Sequence, residues 1–312
     1  MKTNPNTVTK KGVCLKRQLA KKIIGPGTAL LRTFIHYIKA RTAPIYCFPL
    51  ATLITVILGS EGNFNLFIIA GVVTASYWLG LATYVYNDLT DFEVDKINKT
   101  NRASVTGKAT KNQLIIIVGV MFAIGLCLTA SINFYTFGVS VIFTLLGIFY
   151  SHPKFKLKDK FVLKTLITAT GAGLLSLIGG IAVLNTSLSI IYTTLSFFVF
   201  YFILSPLGDI ADINGDRAVG RRTFPIVLGM KSTFLIMLSV PIIIIILMGV
   251  SYDVLHVNIL GEFAIIATSI AIIAVILKIK MNLNNTYTVK SFRPKMRYLN
   301  VIMQISMLLA FL

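Results

Sequence analysis

The sequence predicts an all-α, polytopic membrane protein, with about nine transmembrane helices in one bundle and a site whose mouth opens toward the cytoplasm. Three observations predict it. The 312 residues are 55% hydrophobic with a mean hydropathy of +0.80, and 13% are charged, against about 25% in soluble domains. Apolar runs of roughly 20 residues, long enough to cross a bilayer as helices, recur along the chain. The basic residues fall only on alternate connections between those runs.

In chain order the predicted spans are 43–58, 66–86, 113–132, 134–150, 163–184, 188–207, 233–251, 259–280 and 298–312. The fourth and ninth are short, so eight helices and a partial one fit the same pattern. Segments 1–42, 87–112, 151–164, 208–232 and 278–297 carry all 30 Lys and Arg. The connections near 59–65, 133, 185–187 and 252–258 carry none. Lys and Arg concentrate in cytoplasmic loops, which places the N-terminus and the basic loops in the cytoplasm. A missed or invented span before residue 278 would scramble this partition. Residues 1–35 read as a basic cytoplasmic segment and 36–312 as the transmembrane domain. Residues 1–30 show no apolar core followed by a small-residue cleavage site.

The net charge of +19 follows from topology and attraction to anionic head groups, so it does not call for nucleic acid. Cys14, Cys47 and Cys127 are scattered and give neither a disulfide framework nor a zinc spacing. His36, His152 and His256 are equally dispersed.

The carboxylates are not scattered. Of 11 acidic residues, seven sit in two clusters: Asp88, Asp91, Glu93 and Asp95 after the second span, and Asp209, Asp212 and Asp216 after the sixth. Both lie on the basic side and can face each other across one bundle mouth. If each helix continues through its cluster, residues four apart share a face. Asn87, Asp91 and Asp95 then form one stripe bordered by Asp88. Asp212 and Asp216 form the other, with Asp209 beside them, and Glu93 is out of phase. Like charges so stacked repel, more strongly beside a low-dielectric membrane. A cation offsets that repulsion, and Mg2+ combines one or two carboxylates with phosphate oxygens and water.

A magnesium–diphosphate site also draws on basic side chains, since Arg forks bond phosphate in pairs. Arg102 follows the first cluster; Arg217, Arg221 and Arg222 follow the second. The loop "FYSHPKFKLKDK" supplies Tyr150, Lys154, Lys156 and Lys158. Arg41, at the start of the first span, either snorkels to the interface or lines the mouth. Gly171, Gly173, Gly179 and Gly180 in the fifth span suit close helix packing.

Together these motifs resemble the UbiA superfamily of intramembrane prenyltransferases. The N-D-x-x-D-x-x-x-D pattern is met by Asn87, Asp88, Asp91 and Asp95, and D-x-x-D-x-x-x-D by Asp209, Asp212 and Asp216. Ala103 stands where many members have proline. The resemblance runs from about residue 35 to the end. It implies an isoprenyl diphosphate held by two Mg2+ ions, with its tail between helices. Asn87, Asp91 and Asp95 would hold one metal, with Asp88 near it. Asp212 and Asp216 would hold the other, with Asp209 assisting or binding the acceptor. Arg102, Tyr150 and Lys154 would contact the diphosphate or stabilise charge near it, and Arg41, Lys158 and Arg222 would complete the substrate contacts. Tyr150 joins Asp91, Asp95, Asp212 and Asp216 in the catalytic set.

The segment "DIADINGDRAVGRRTFP" most resembles the archaeal branch that adds a second geranylgeranyl group to geranylgeranylglyceryl phosphate. Phenolic or quinone precursors and tetrapyrroles remain as alternative acceptors, and a cyclase variant would use the same metals without an acceptor. An ion-coupled transporter would place its acids near the bilayer midplane, whereas these sit at helix ends. A CDP-alcohol phosphotransferase would compress its acids into a single D-G-x-x-A-R type motif.

Overall fold

The computed structural model describes residues 26–98, 104–105, 109–255, 257–282 and 286–312. Among them are twelve α-helices and no strand: α1 Pro26–Ile45, α2 Cys47–Ser60, α3 Leu66–Thr90, α4 Phe92–Ile97, α5 Lys111–Ala130, α6 Phe134–Ser151, α7 Leu163–Ala182, α8 Leu188–Ala218, α9 Phe224–Val227, α10 Gly229–Leu255, α11 Ile259–Met281 and α12 Thr286–Phe311. Eight of the nine predicted apolar runs each overlie a single helix, the run 43–58 straddles the break between α1 and α2, and α1 continues unbroken through residue 35.

Length and apolar composition confirm seven of the nine expected spans. Among the described residues seven helices are long and apolar enough to cross a membrane: α3, α5, α6, α7, α8, α10 and α11. The two exceptions have local causes. Helix α2 has only 14 residues. Pro49 lacks an N–H and its ring meets the carbonyl of residue 45, so the helix breaks at Tyr46. Helix α12 has 26 residues, but its first half carries Lys290, Arg293, Lys295 and Arg297.

Three of the four helix starts on the side without Lys or Arg, those of α3, α6 and α11, are fixed by asparagine caps. Asn65 Oδ1 accepts from Phe67 N at 3.0 Å, Asn133 Oδ1 from Thr136 N at 2.8 Å and Asn258 Oδ1 from Leu260 N at 2.9 Å. Those connections also meet one another. Asn185 Nδ2 donates to Gly59 O at 3.1 Å, and Asn133 Nδ2 to Ala182 O at 3.1 Å. The connections at 59–65, 133 and 185–187, which carry no Lys or Arg, therefore share one end of the bundle, in keeping with the partition of basic residues.

Two apolar cores share α8. Val56, Leu79, Met121 and Leu175 belong to the first, with Phe197 and Tyr201 of α8. Ile203 and Leu207 of α8 join Phe234, Ile272 and Met303 in the second. Helix α2 lies along α7 and α12 and ties the halves together. Two glycines permit the closest approaches. A Cβ on Gly179 would stand 2.2 Å from Thr52 O, and one on Gly261 would stand 2.2 Å from Ala310 Cα. The exterior is rich in exposed Leu, Ile and Phe, such as Ile116, Ile142, Leu195 and Ile246. That surface suits hydrocarbon and is unlike that of a soluble monomer.

Helix α8 sets the site's position. Its 31 residues give a rod of roughly 46 Å, longer than a hydrocarbon core of about 30 Å. Its last turns therefore project beyond the apolar layer, and they carry Asp209, Asp212 and Asp216.

Candidate active site

Helix α3 ends at Thr90 and the chain restarts as α4, yet the helical register survives the break. Asp91 N donates to Asn87 O and Asp95 N to Asp91 O, each at 2.9 Å. Asn87, Asp91 and Asp95 thus stay on one face, while Glu93 is exposed, as its phase predicts. The second row needs no such repair, because α8 runs unbroken through Ala218. Both rows line one cavity of about 300 Å³, with Asn87, Asp91 and Asp95 on one side and Asp209, Asp212 and Asp216 on the other.

Arg221 joins the rows. Its guanidinium reaches Asp91 from one Nη, Asp216 Oδ1 from the other at 3.2 Å, and Asp159 Oδ1 from Nε at 2.7 Å. Lys158 reinforces the first row from the turn Leu157–Asp159. Its Nζ lies 2.7 Å from Asp91 Oδ1 and donates to Thr90 Oγ1 at 2.7 Å and Asn87 Oδ1 at 3.3 Å. Lys164, in the first turn of α7, holds Asp209 and lies 3.4 Å from Asp216. Arg293 Nη2 donates to Asp212 Oδ2 and to Gly208 O, each at 2.6 Å.

Burial and opposite charge compete at Asp91, Lys158 and Arg221, and the outcome differs between them. Burial pushes the Asp91 carboxyl up, but the Lys158 ammonium and Arg221 guanidinium outweigh it and hold it below its ordinary range. Burial also draws charge from Lys158, which lies below its usual value despite Asp91. Burial works against the Arg221 cation too, yet Asp91 and Asp216 raise it further still.

The expected residues divide three ways. Asn87, Asp91, Asp95, Tyr150, Lys158, Asp209, Asp212, Asp216 and Arg41 line the cavity. Asp88 lies behind it: the buried carboxylate takes Arg41 Nε at 2.9 Å in a two-pronged pair, and Arg41 reaches the cavity in its place. Lys154 and Arg222 are exposed and outside the cavity lining, and Arg222 contributes its backbone N–H to Asp159 O at 3.1 Å. Arg102 lies outside the described residues. Sequence reasoning missed Lys164, Arg293, Arg297, Tyr84 and Tyr201, all on the cavity wall. A readable signal existed for two of them, because Arg293 and Arg297 are four apart and so share a face of α12.

The donor set suits a hard divalent cation, since every candidate ligand atom is oxygen. Asp209 Oδ2 is buried without a hydrogen-bond partner, while Oδ1 of the same carboxylate is held by Lys164, which leaves one acceptor open. Among the described residues no three acidic, His or Cys side chains converge on one point to hold an ion alone. Mg2+ needs only one or two carboxylates when phosphate oxygens complete its shell, so the rows fit it.

A second, mostly apolar cavity of about 200 Å³ continues from the first, between α3, α6 and α7. Phe143, Leu146, Ile167, Gly171 and Ala172 line it, and Tyr84, Asn87, Tyr150, Thr168 and Tyr201 border both cavities. The site thus has a charged head and an apolar tail, the shape of an amphiphile with an anionic head group.

Comparison with known proteins agrees with that shape. The model of the UbiA prenyltransferase family matches residues 48–301. A digeranylgeranylglyceryl phosphate synthase from Methanosphaera stadtmanae is 28% identical over 264 residues, covering 84% of this chain and 91% of that protein. A solved structure described as a digeranylgeranylglyceryl phosphate synthase in membranes superposes with a TM-score of 0.69 at 20% identity, over 90% of this chain and 98% of that one. A UbiA homologue from Archaeoglobus fulgidus, solved with GPP and Mg2+, gives 0.62 at 18% identity, over 87% and 99%.

Proposed function

The chain belongs to the UbiA prenyltransferase family, and from that premise we propose that it transfers a geranylgeranyl group from its diphosphate to geranylgeranylglyceryl phosphate, with Mg2+, in ether-lipid synthesis. The observation that carries this reading is the pair of carboxylate rows facing each other across one cavity, bridged by Arg221 and opening into an apolar tail cavity. Relatives bearing the name of that synthase support the acceptor. A homologous fold solved with GPP and Mg2+ supports the donor and the metal. The partition of Lys and Arg supports a cytoplasmic mouth.

Asn87, Asp91 and Asp95 would hold one ion, and Asp212 and Asp216 the other, with Asp209 beside them. Mg2+ held there would supply charge neutralisation for the departing diphosphate. Lys158, Lys164 and Arg221 stand among the same carboxylates and add positive charge toward the leaving group. Tyr84, Tyr150 and Tyr201 border the junction of the two cavities, where the allylic C1 sits when head and tail are each in place. Their electron-rich rings face positive charge developing at C1. The acceptor hydroxyl oxygen bonds to C1 as the C1–O bond to diphosphate breaks, and the hydroxyl proton passes to an oxygen base in the cavity. Phe143, Leu146 and Ile167 keep the tail dry, which protects the cation from water.

Membranes containing the full chain, given Mg2+ and labelled geranylgeranyl diphosphate, test this with each acceptor class in turn. Transfer to the glyceryl phosphate ether is expected, and it is lost in Asp91→Ala and in Asp212→Ala. Transfer that survives chelation overturns the metal roles. Transfer only to a phenolic or tetrapyrrole acceptor overturns the ether-lipid assignment.

A further inference from the structure

We propose that Arg297, with Arg293 one helical turn before it, binds the phosphate of the acceptor and so selects a phosphorylated acceptor; this rests on the reading just given. Six cationic side chains line the polar cavity: Arg41, Lys158, Lys164, Arg221, Arg293 and Arg297. Five are committed to carboxylates, to Asp88, Asp91, Asp209 with Asp216, Asp91 with Asp216, and Asp212 in turn. Arg297 is partly buried and has no carboxylate partner among the described residues. A guanidinium withdrawn from water without an anion is costly, and the cavity supplies none to it.

Position separates this arginine from the donor's site. The cations expected to meet the donor diphosphate stand on the walls made by α7 and by the loops after α6 and α8. Arg293 and Arg297 stand on α12, which packs against α2 and α8. Being four apart, they share one face. Arg293 also keeps a donor in reserve, because its Nε is buried without a partner while Nη2 serves Asp212 and Gly208. The charge of Arg297 reaches Tyr46, Cys47 and Tyr201, at the break between α1 and α2 and on α8.

Depth supplies the second argument. The apolar stretch of α12 begins at Tyr298, so Arg297 marks the level where head group gives way to hydrocarbon. An amphiphile whose chain lies in the bilayer presents its phosphate at that level. A topological arginine snorkels outward to water, whereas this one faces the cavity. Its planar fork matches a phosphate monoester with two parallel hydrogen bonds.

The test uses the full chain in lipid vesicles and separates the two substrates. Arg297→Gln is expected to raise the acceptor KM by roughly 10-fold or more, the effect of losing a charge-assisted pair. The KM for geranylgeranyl diphosphate should stay within about twofold. Arg297→Lys recovers part of the loss. With the diol that lacks the phosphate, the wild type and Arg297→Gln perform alike. Binding of labelled geranylgeranylglyceryl phosphate, measured without donor or Mg2+, weakens in Arg297→Gln in parallel. An unchanged acceptor KM and unchanged binding overturn the assignment, as does a donor KM that rises as much as the acceptor's. If the wild type uses the phosphorylated acceptor, that failure belongs to Arg297 alone. If the wild type uses only unphosphorylated acceptors, the proposed function and this assignment fall together.

Discussion

Replacing Arg221 with methionine keeps the side chain's bulk and removes the charge that bridges the two acid rows. The structure sets the scale of the effect. Arg221 makes three ionic contacts, to Asp91, to Asp216 at 3.2 Å and to Asp159 at 2.7 Å. A hydrogen bond to a charged group contributes about 1.5–3 kcal/mol, and stripping a partner from a buried pair costs about 3–5 kcal/mol. Two discounts apply here. Asp159 is 30% exposed, so water compensates much of that contact. Asp91 keeps Lys158 at 2.7 Å. Asp216 fares worst, because only Lys164 at 3.4 Å remains. The net loss is about 3 kcal/mol. For a chain of this length that is a fall of apparent melting temperature on the order of 5 °C.

The assay is thermal unfolding of the purified chain in lipid nanodiscs, with and without Mg2+. The deficit should be largest in chelator and shrink as Mg2+ rises, because the ion neutralises carboxylates that the guanidinium no longer covers. Acid should narrow the contrast. Asp91 lies below its ordinary value of 3.8, so its contribution is present above that pH and lost as pH falls through the folded value. Without Arg221 one of its two depressing charges is gone, so Asp91 contributes less above that pH and acid has less to remove than in the wild type. An Arg221→Met protein as stable as the wild type in chelator would refute the reasoning, since it would show that the rows need no compensating charge.

Two further outcomes follow from the same geometry. Lys158→Met should reduce transfer by on the order of 100-fold, a loss of charge stabilisation in a site shielded from water, whereas Lys154→Ala should leave the rate within about twofold; steady-state rates with saturating donor distinguish them, and equal losses would mean that exposure is no guide here. Gly171→Leu should shift donor preference toward shorter prenyl chains, because a Cβ there already stands 3.4 Å from Phe143 Cε2 in the tail cavity. Competition between geranylgeranyl and geranyl diphosphate reads that shift directly, and an unchanged ratio would place the tail elsewhere.

The membrane class, the two-sided distribution of charge and the acid rows were legible in the sequence because each depends on local or compositional facts. A helix repeats every 3.6 residues, so Asn87, Asp91 and Asp95 share a face wherever the helix goes. Hydropathy reports where an apolar run lies, but it does not report how the helix carrying that run is cut or charged. Pro49 cuts α2 to 14 residues and four basic residues occupy the first half of α12.

Which cations meet those rows was decided by tertiary structure. Arg221 and Arg222 are neighbours in sequence, yet the chain leaves α8 so that Arg221 turns inward to Asp91 and Arg222 stays in solvent. The turn at Leu157–Asp159, preceded by Lys156 at φ +45°, swings Lys158 into the cavity and leaves Lys154 outside it. Lys164, Arg293 and Arg297 reach the site only because α7, α8 and α12 pack around it. Pattern along one helix fixes the direction a side chain takes from its own axis. Its partner depends on how separate helices cross, and that is set by packing contacts such as Gly179 against Thr52, far apart in the chain.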